Sequence, residues 1–169
     1  MSNFTLFAYM RKLILLSILC GFSVFSSIKA QKNAIAIQSD LMRTLQVWGA
    51  SQIITSSAGL AFNQGNVDFH TMTLGWGLVN TSLGSFGLIN NKKKDPNNSS
   101  SYAERLAKIY FINTLLDIGY VTSGFIMSKS DNLRTQAFGE AIVIQGGVLF
   151  SFDLIACISQ YRCYKSKKK

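Results

Sequence analysis

Four stretches of about 20 residues, each nearly free of charge, follow one another along this chain, and their length constrains the fold more than any motif. About 20 predominantly apolar residues wound as a helix cross the ~30 Å hydrocarbon core of a bilayer. The stretches run roughly from Leu41 to Phe62, Phe69 to Asn90, Leu106 to Met127 and Phe138 to Gln160. Bulk composition would not reveal them, because 48% hydrophobic residues is near the value for soluble proteins. Distribution does. Charged residues make up only 15%, well below the usual quarter, and they gather between the apolar stretches. All four stretches also carry Gly, Ser and Thr, small residues that let helix backbones approach closely in lipid. The prediction is an all-α fold, a transmembrane four-helix bundle over residues 41–160 with spans at about 41–62, 69–90, 106–127 and 138–160.

An export signal is predicted ahead of the bundle. Arg11 and Lys12 precede an apolar run from Leu13 to Ile28, and Ala30 offers a small residue at a cleavage point before Gln31. Residues 1–30 therefore read as a signal peptide, with an uncleaved signal anchor as the alternative. Between the first two spans, Asn63 to Asp68 is a short turn rich in Asn and Gly, which makes those helices antiparallel neighbours. Residues 91–101 read as a flexible basic loop and 161–169 as a basic tail. Ser101 with Glu104 has the spacing of a capping box and is expected to open the third helix.

Four spans place the mature N-terminus, the basic loop and the tail on one side. That side carries Lys92, Lys93, Lys94, Arg105 and the lysines between 165 and 169, against Lys129 and Arg134 opposite. The excess of Lys and Arg assigns it to the cytoplasm, whereas a cleaved signal assigns it to the exterior, so orientation stays open.

The net charge of +9 does not imply nucleic acid here, since no aromatic-interleaved basic face accompanies the lysines. Their position beside the spans fits anionic lipid headgroups instead. Cys157 and Cys163, six residues apart on a helix, point to different faces and are not expected to pair, and no zinc spacing is present. No cofactor or metal site is predicted. The only histidine, His70, stands beside the short turn as an interfacial residue, so no hydrolase triad can be built. The chain is therefore not expected to be an enzyme.

The polar residues inside the spans are the candidate site. Trp48, Gln52, Ser56 and Gly59 in the first span recur 28 residues later as Trp76, Asn80, Gly84 and Gly87, a weak internal repeat. Asn113, Asp117 and Tyr120 follow the same helical spacing in the third span, and Gln145 and Asp153 share a face of the fourth. An unpaired charge at mid-span costs at least ~3 kcal/mol, so these groups are expected to point inward and pair, or to be neutral. Gln52, Asn80, Asn113, Asp117, Tyr120, Gln145 and Asp153 thus form a predicted intramembrane polar site. It is either interhelical hydrogen-bond glue or a site that binds a small ligand or relays an ion.

The segment Phe69 to Asn80, the run Asp117-Ile118-Gly119-Tyr120 through Gly124, and Gln145-Gly146-Gly147 through Asp153 resemble a family of small, uncharacterised four-helix membrane proteins of Bacteroidetes bacteria. The resemblance covers roughly Leu41 to Gln160 and departs at Thr73, where that family usually has Asn. It implies a four-helix plan and a membrane location, with the bacterial inner membrane expected, and no activity. The leading expectation is a structural or accessory membrane component that self-associates or sits beside a larger membrane partner. The alternative is a small transporter, channel subunit or ligand-binding bundle built around Asp117 and Asp153.

Overall fold

Asparagine side chains open three of the four helices. Asn33 accepts a hydrogen bond from the Ile35 amide and starts α1, Ala34–Ala61. Asn66 accepts from the amides of Asp68 and Phe69 at the head of α2, Val67–Asn91. Asn132 does the same for Arg134 and Thr135 at the head of α4, Leu133–Ser166. In each case a short amide side chain satisfies N–H groups that the first helical turn leaves without an intrahelical acceptor. The third helix, α3, spans Ser99–Met127. The computed structural model describes residues 33–95 and 99–168, which are all-helical apart from turns and contain no strand. The predicted signal at 1–30 lies outside the described residues.

The helices run further than the apolar stretches. α4 continues through the segment predicted as a tail as far as Ser166, and α3 begins at Ser99 rather than at a cap on Ser101. The predicted capping box is not formed. Ser101 already lies within the helix, and Glu104 reaches forward to Lys108 at 2.8 Å, an i,i+4 pair, instead of back to the helix start. Among the described residues, α3 and α4 are the two helices long and apolar enough to cross a membrane by length and composition. α1 and α2 fall short because Ser51, Gln52, Thr55 and Ser56, and Asn80, Thr81 and Ser85, dilute their apolar residues.

The chain folds as two antiparallel hairpins, α1–α2 and α3–α4, laid against each other mainly through α2 and α4. The first turn reverses at Asn63 and Gly65, both at positive φ, and His70 closes it by donating from Nε2 to the Gln64 carbonyl at 2.8 Å. That contact gives His70 a local structural role.

Within each hairpin, glycines bring the backbones together. A Cβ on Gly49 would lie 2.7 Å from the Gly77 carbonyl, and one on Gly77 would lie 2.9 Å from the Gly49 carbonyl. Gly124 and Gly139 stand in the same reciprocal relation across α3 and α4, at 3.0 and 2.7 Å. Buried positions then recur every seven residues: Gln38, Leu45, Gln52 and Gly59 in α1, Gly77, Gly84 and Asn91 in α2, Ala103, Tyr110, Asp117 and Gly124 in α3, and Gly139, Gly146, Asp153 and Gln160 in α4. A seven-residue seam is the signature of left-handed, coiled-coil-like packing.

Both ends of the bundle are pinned. At the basic end Asn91, almost fully buried, donates to the Ile35 carbonyl and to Ser39 Oγ, both at 2.6 Å, and accepts from Tyr102 at 3.0 Å. Ser99 donates to the Asn33 side chain at 3.1 Å, and Gln160 donates to the Ala34 carbonyl at 3.3 Å, so all four helices meet at the first turn of α1. The main apolar cluster, including Ile37, Leu41, Leu45, Leu106 and Tyr110, packs beneath this junction. At the opposite end Arg134 of α4 pairs with Asp68 of α2 at 3.4 Å.

The glycine seam is directly testable. Gly77→Ala is expected to destabilise the bundle by about 1–3 kcal/mol, because the new methyl meets backbone that cannot yield. Gly75→Ala, two residues away but facing open space, is expected to stabilise by up to about 1 kcal/mol through helix propensity. Denaturation followed by circular dichroism measures both.

Candidate functional site

The interior of this bundle is unusually polar. Gln52, Asn80, Asp117, Gln145 and Asp153 are all buried alongside Gln38, Ser56, Thr114 and Gln160. They fall into tiers along the bundle axis.

The first tier is a ladder of amides. Asn80 Nδ2 donates to Gln52 Oε1 at 3.0 Å, and Gln52 Nε2 donates in turn to Gln145 Oε1 in a short hydrogen bond. The ladder links α2, α1 and α4, and so joins the two hairpins at mid-bundle. Its first rung joins positions of the internal repeat. Gln52 and Asn80 are 28 residues apart, as are the mutually contacting Gly49 and Gly77. In an antiparallel hairpin a repeated Trp-Gly-x-x-amide unit brings its equivalent residues together near the crossing point, which gives α1–α2 an approximate two-fold relation. The last member of the ladder is incomplete: Gln145 Nε2 has no acceptor among the described residues.

The second tier is a carboxyl pair. Asp117 of α3 and Asp153 of α4 are both turned into the interior, and Asp117 Oδ2 is buried with no hydrogen-bond partner among the described residues. Asp117 is 3% exposed and Asp153 7%. Asp153 follows Gln145 by eight residues, about 12 Å of helix rise. The third tier, nearer the basic end, is Tyr110, which donates to Gln38 Oε1 at 2.8 Å and packs edge-on against Phe152.

Two residues of the predicted site stand apart. Tyr120 is 45% exposed and sits on the outer surface, its ring edge-on to Trp76 with centroids 5.7 Å apart. It packs α3 against α2 from outside and makes no hydrogen bond to Asp117. Asn113 is half-buried. The inward face of α3 instead carries Tyr110, Thr114, Asp117 and Gly124, about one residue out of step with the predicted stripe. Tyr110, Gln38, Asn91 and Gln160 were not among the predicted site residues. The seven-residue spacing of Gln38, Leu45 and Gln52, and of Tyr110 and Asp117, is the signal that would have found the first two. Cys157 and Cys163 form no disulfide.

A family of unknown function, DUF6992, matches residues 44–154. The chain belongs to this family. Neither a curated protein nor a solved structure matches the chain. The DUF6992 match contains the whole amide ladder, the carboxyl pair and all four reciprocal glycines, while the first turns of α1 and the last turns of α4 lie outside it.

The ladder predicts a particular pattern of instability. Gln52→Leu strands two buried amides, so it is expected to destabilise by about 1–3 kcal/mol. Replacing Gln52, Asn80 and Gln145 together by Leu removes the stranded partners and is expected to recover most of that loss. Denaturation midpoints of the single and triple variants provide the comparison.

Proposed function

We propose that the chain is an integral membrane component whose four helices all cross the bilayer, with a structural or accessory role and no catalysis. One observation carries this reading: the distribution of polarity is inverted relative to a soluble bundle. The buried residues of α2 are Gly77, Asn80, Gly84 and Asn91, without one large apolar side chain, while Leu78, Val79, Leu83, Phe86 and Ile89 face outward. α3 likewise turns Phe111, Ile112, Leu115, Leu116, Phe125 and Ile126 away from the core. A core helix of a soluble protein is mostly buried, yet only 22% and 28% of the residues in the most apolar stretches of α3 and α4 are. Water does not favour such a surface, and lipid does.

The lower hydropathy of α1 and α2 is compatible with lipid because several of their hydroxyls are satisfied on their own helix, while Ser56 and Thr81 turn theirs inward away from lipid. Ser51 donates to the Trp48 carbonyl at 2.7 Å, and Thr55, Thr71, Thr73 and Ser85 each donate at 2.8 Å to the carbonyl four residues back. A hydroxyl folded onto its own helix presents little unsatisfied polarity to hydrocarbon.

In this reading the partners are the bilayer, anionic headgroups at Lys92 to Lys94 and at the lysine tail, and a second copy or a larger membrane protein. Nucleic acid is not among them. The family resemblance supports the inner membrane of a Bacteroidetes bacterium as the location, reached through the N-terminal signal. Alkaline carbonate treatment of membranes tests the central point: the protein is expected to remain with the lipid pellet, and its release into the supernatant would refute integral insertion. In a mild detergent, light scattering is expected to give a protein mass above that of one chain, and a single-chain mass would count against self-association.

A further inference from the structure

At the basic end, a cavity of about 250 Å³ opens between the turn that follows α2 and the first turns of α3. Its walls are Lys93, Lys94 and Asp95 from the turn and Ser101, Tyr102 and Arg105 from the helix. Two of these side chains are held in place. Tyr102 donates to Asn91, which is itself anchored to α1 through the Ile35 carbonyl and Ser39. Lys94 lies over the Tyr102 ring, its ammonium 5.6 Å from the centroid. Ser101 and Arg105 are four residues apart on α3 and so share a face.

The lining carries three cations, Lys93, Lys94 and Arg105, against the single carboxylate of Asp95. Nearby ion pairs join Glu104 to Lys108 at 2.8 Å and Asp40 to Arg43 at 3.7 Å, and neither takes up a cation of the cavity. The Ser101 hydroxyl adds a neutral donor. A phosphate matches this set, because a guanidinium offers its oxygens a two-pronged fork while the ammonium groups act as point charges. The neighbouring surface says what the phosphate is attached to. α2 turns Phe86 and Ile89 outward in the two turns ahead of Lys93. On α3, Ile109 and Ile112 face outward and continue the stripe that Ser101 and Arg105 begin. A phosphate in the cavity therefore sits at the head of two apolar faces, where acyl chains joined to it can lie.

We propose that this cavity binds the phosphate of one anionic phospholipid, held by Arg105, Lys93 and Lys94, with the acyl chains along the outer faces of α2 and α3. The inference rests on the membrane reading above and narrows it. General attraction between lysines and headgroups fixes neither the number of lipids nor the residues that hold them. This site holds one lipid and depends on Arg105 and Lys93 more than on the lysines of the tail.

Native mass spectrometry of the full-length chain, titrated with phosphatidylglycerol in a maltoside detergent, counts the lipids retained per chain. One lipid per chain is expected to bind ahead of any others. K93Q/R105Q is expected to weaken that first lipid by at least about tenfold while keeping wild-type helicity by circular dichroism. K165Q/K167Q removes the same charge from the tail and is expected to weaken it by less than about twofold. Equal weakening by the two double variants would overturn the proposal, as would retention of lipid with no fixed number. Glycerol phosphate at the concentration of the lipid supplies the headgroup without the chains. It is expected to leave the lipid bound, and displacement would overturn the assignment to lipid by showing a site for free phosphate. Carbonate treatment of the same proteins in membranes separates the two readings. If the wild type stays in the pellet but the double variants bind lipid alike, the site fails and the membrane reading stands; release of the wild type overturns both.

Discussion

The close approach of backbones at the two glycine crossings is the constraint from which most of this structure follows. Where Gly49 meets Gly77 and Gly124 meets Gly139, an added Cβ on either glycine would run into the opposite main-chain carbonyl. A seam of this kind has little apolar volume to bury, so removal of oily side chains from water cannot be what closes it. What it offers is dense van der Waals contact between main chains, the type of packing that operates where the surrounding solvent is itself apolar. The large apolar residues are then left for the outside. Any polar side chain turned toward the seam is desolvated and must find a partner across it. The Asn80–Gln52–Gln145 ladder meets that requirement and at the same time fixes the register between hairpins.

The two halves of the bundle are held by different means. Toward the basic end, α1 supplies Ile37, Leu41 and Leu45 to an apolar cluster, and Asn91, Ser99 and Gln160 tie the other three helices to its first turn. Toward the short turns, glycine contacts and the exposed Arg134–Asp68 pair take over, and a surface pair of that kind contributes at most about 1 kcal/mol. The carboxyl pair lies between the apolar cluster and the amide ladder.

Much of the plan was legible in the residues. The apolar stretches located four helices, and the Asn63–Gly65 turn set the first hairpin. The 28-residue echo of Trp48-Gly49 in Trp76-Gly77 marked the crossing that the structure places at those glycines. Tyr120 was misplaced for a physical reason: one residue is 100° of helix, and α3 has small and polar residues on more than one face, so the inward stripe is ambiguous by a single step. The helix caps at Asn33, Asn66 and Asn132 were missed because Asn reads equally well as a loop residue until its side chain is seen to accept from the amides two or three residues on. The junction at Asn91 and Ser99 was invisible for a similar reason. Both residues fell in a polar stretch that reads as loop, and only the tertiary structure buries them.

The central claim is that the apolar outer faces of all four helices meet lipid. Spin labels placed singly at Ile54, Leu83, Leu116 and Ile158, one on each helix, test it most directly through their relaxation by oxygen, which concentrates in hydrocarbon, and by a water-soluble nickel chelate. In phospholipid vesicles the account predicts strong relaxation by oxygen and almost none by nickel at all four sites. Strong relaxation by nickel at Ile54 and Leu83 would show that α1 and α2 lie in water, and would contradict a bundle dissolved in lipid as a whole.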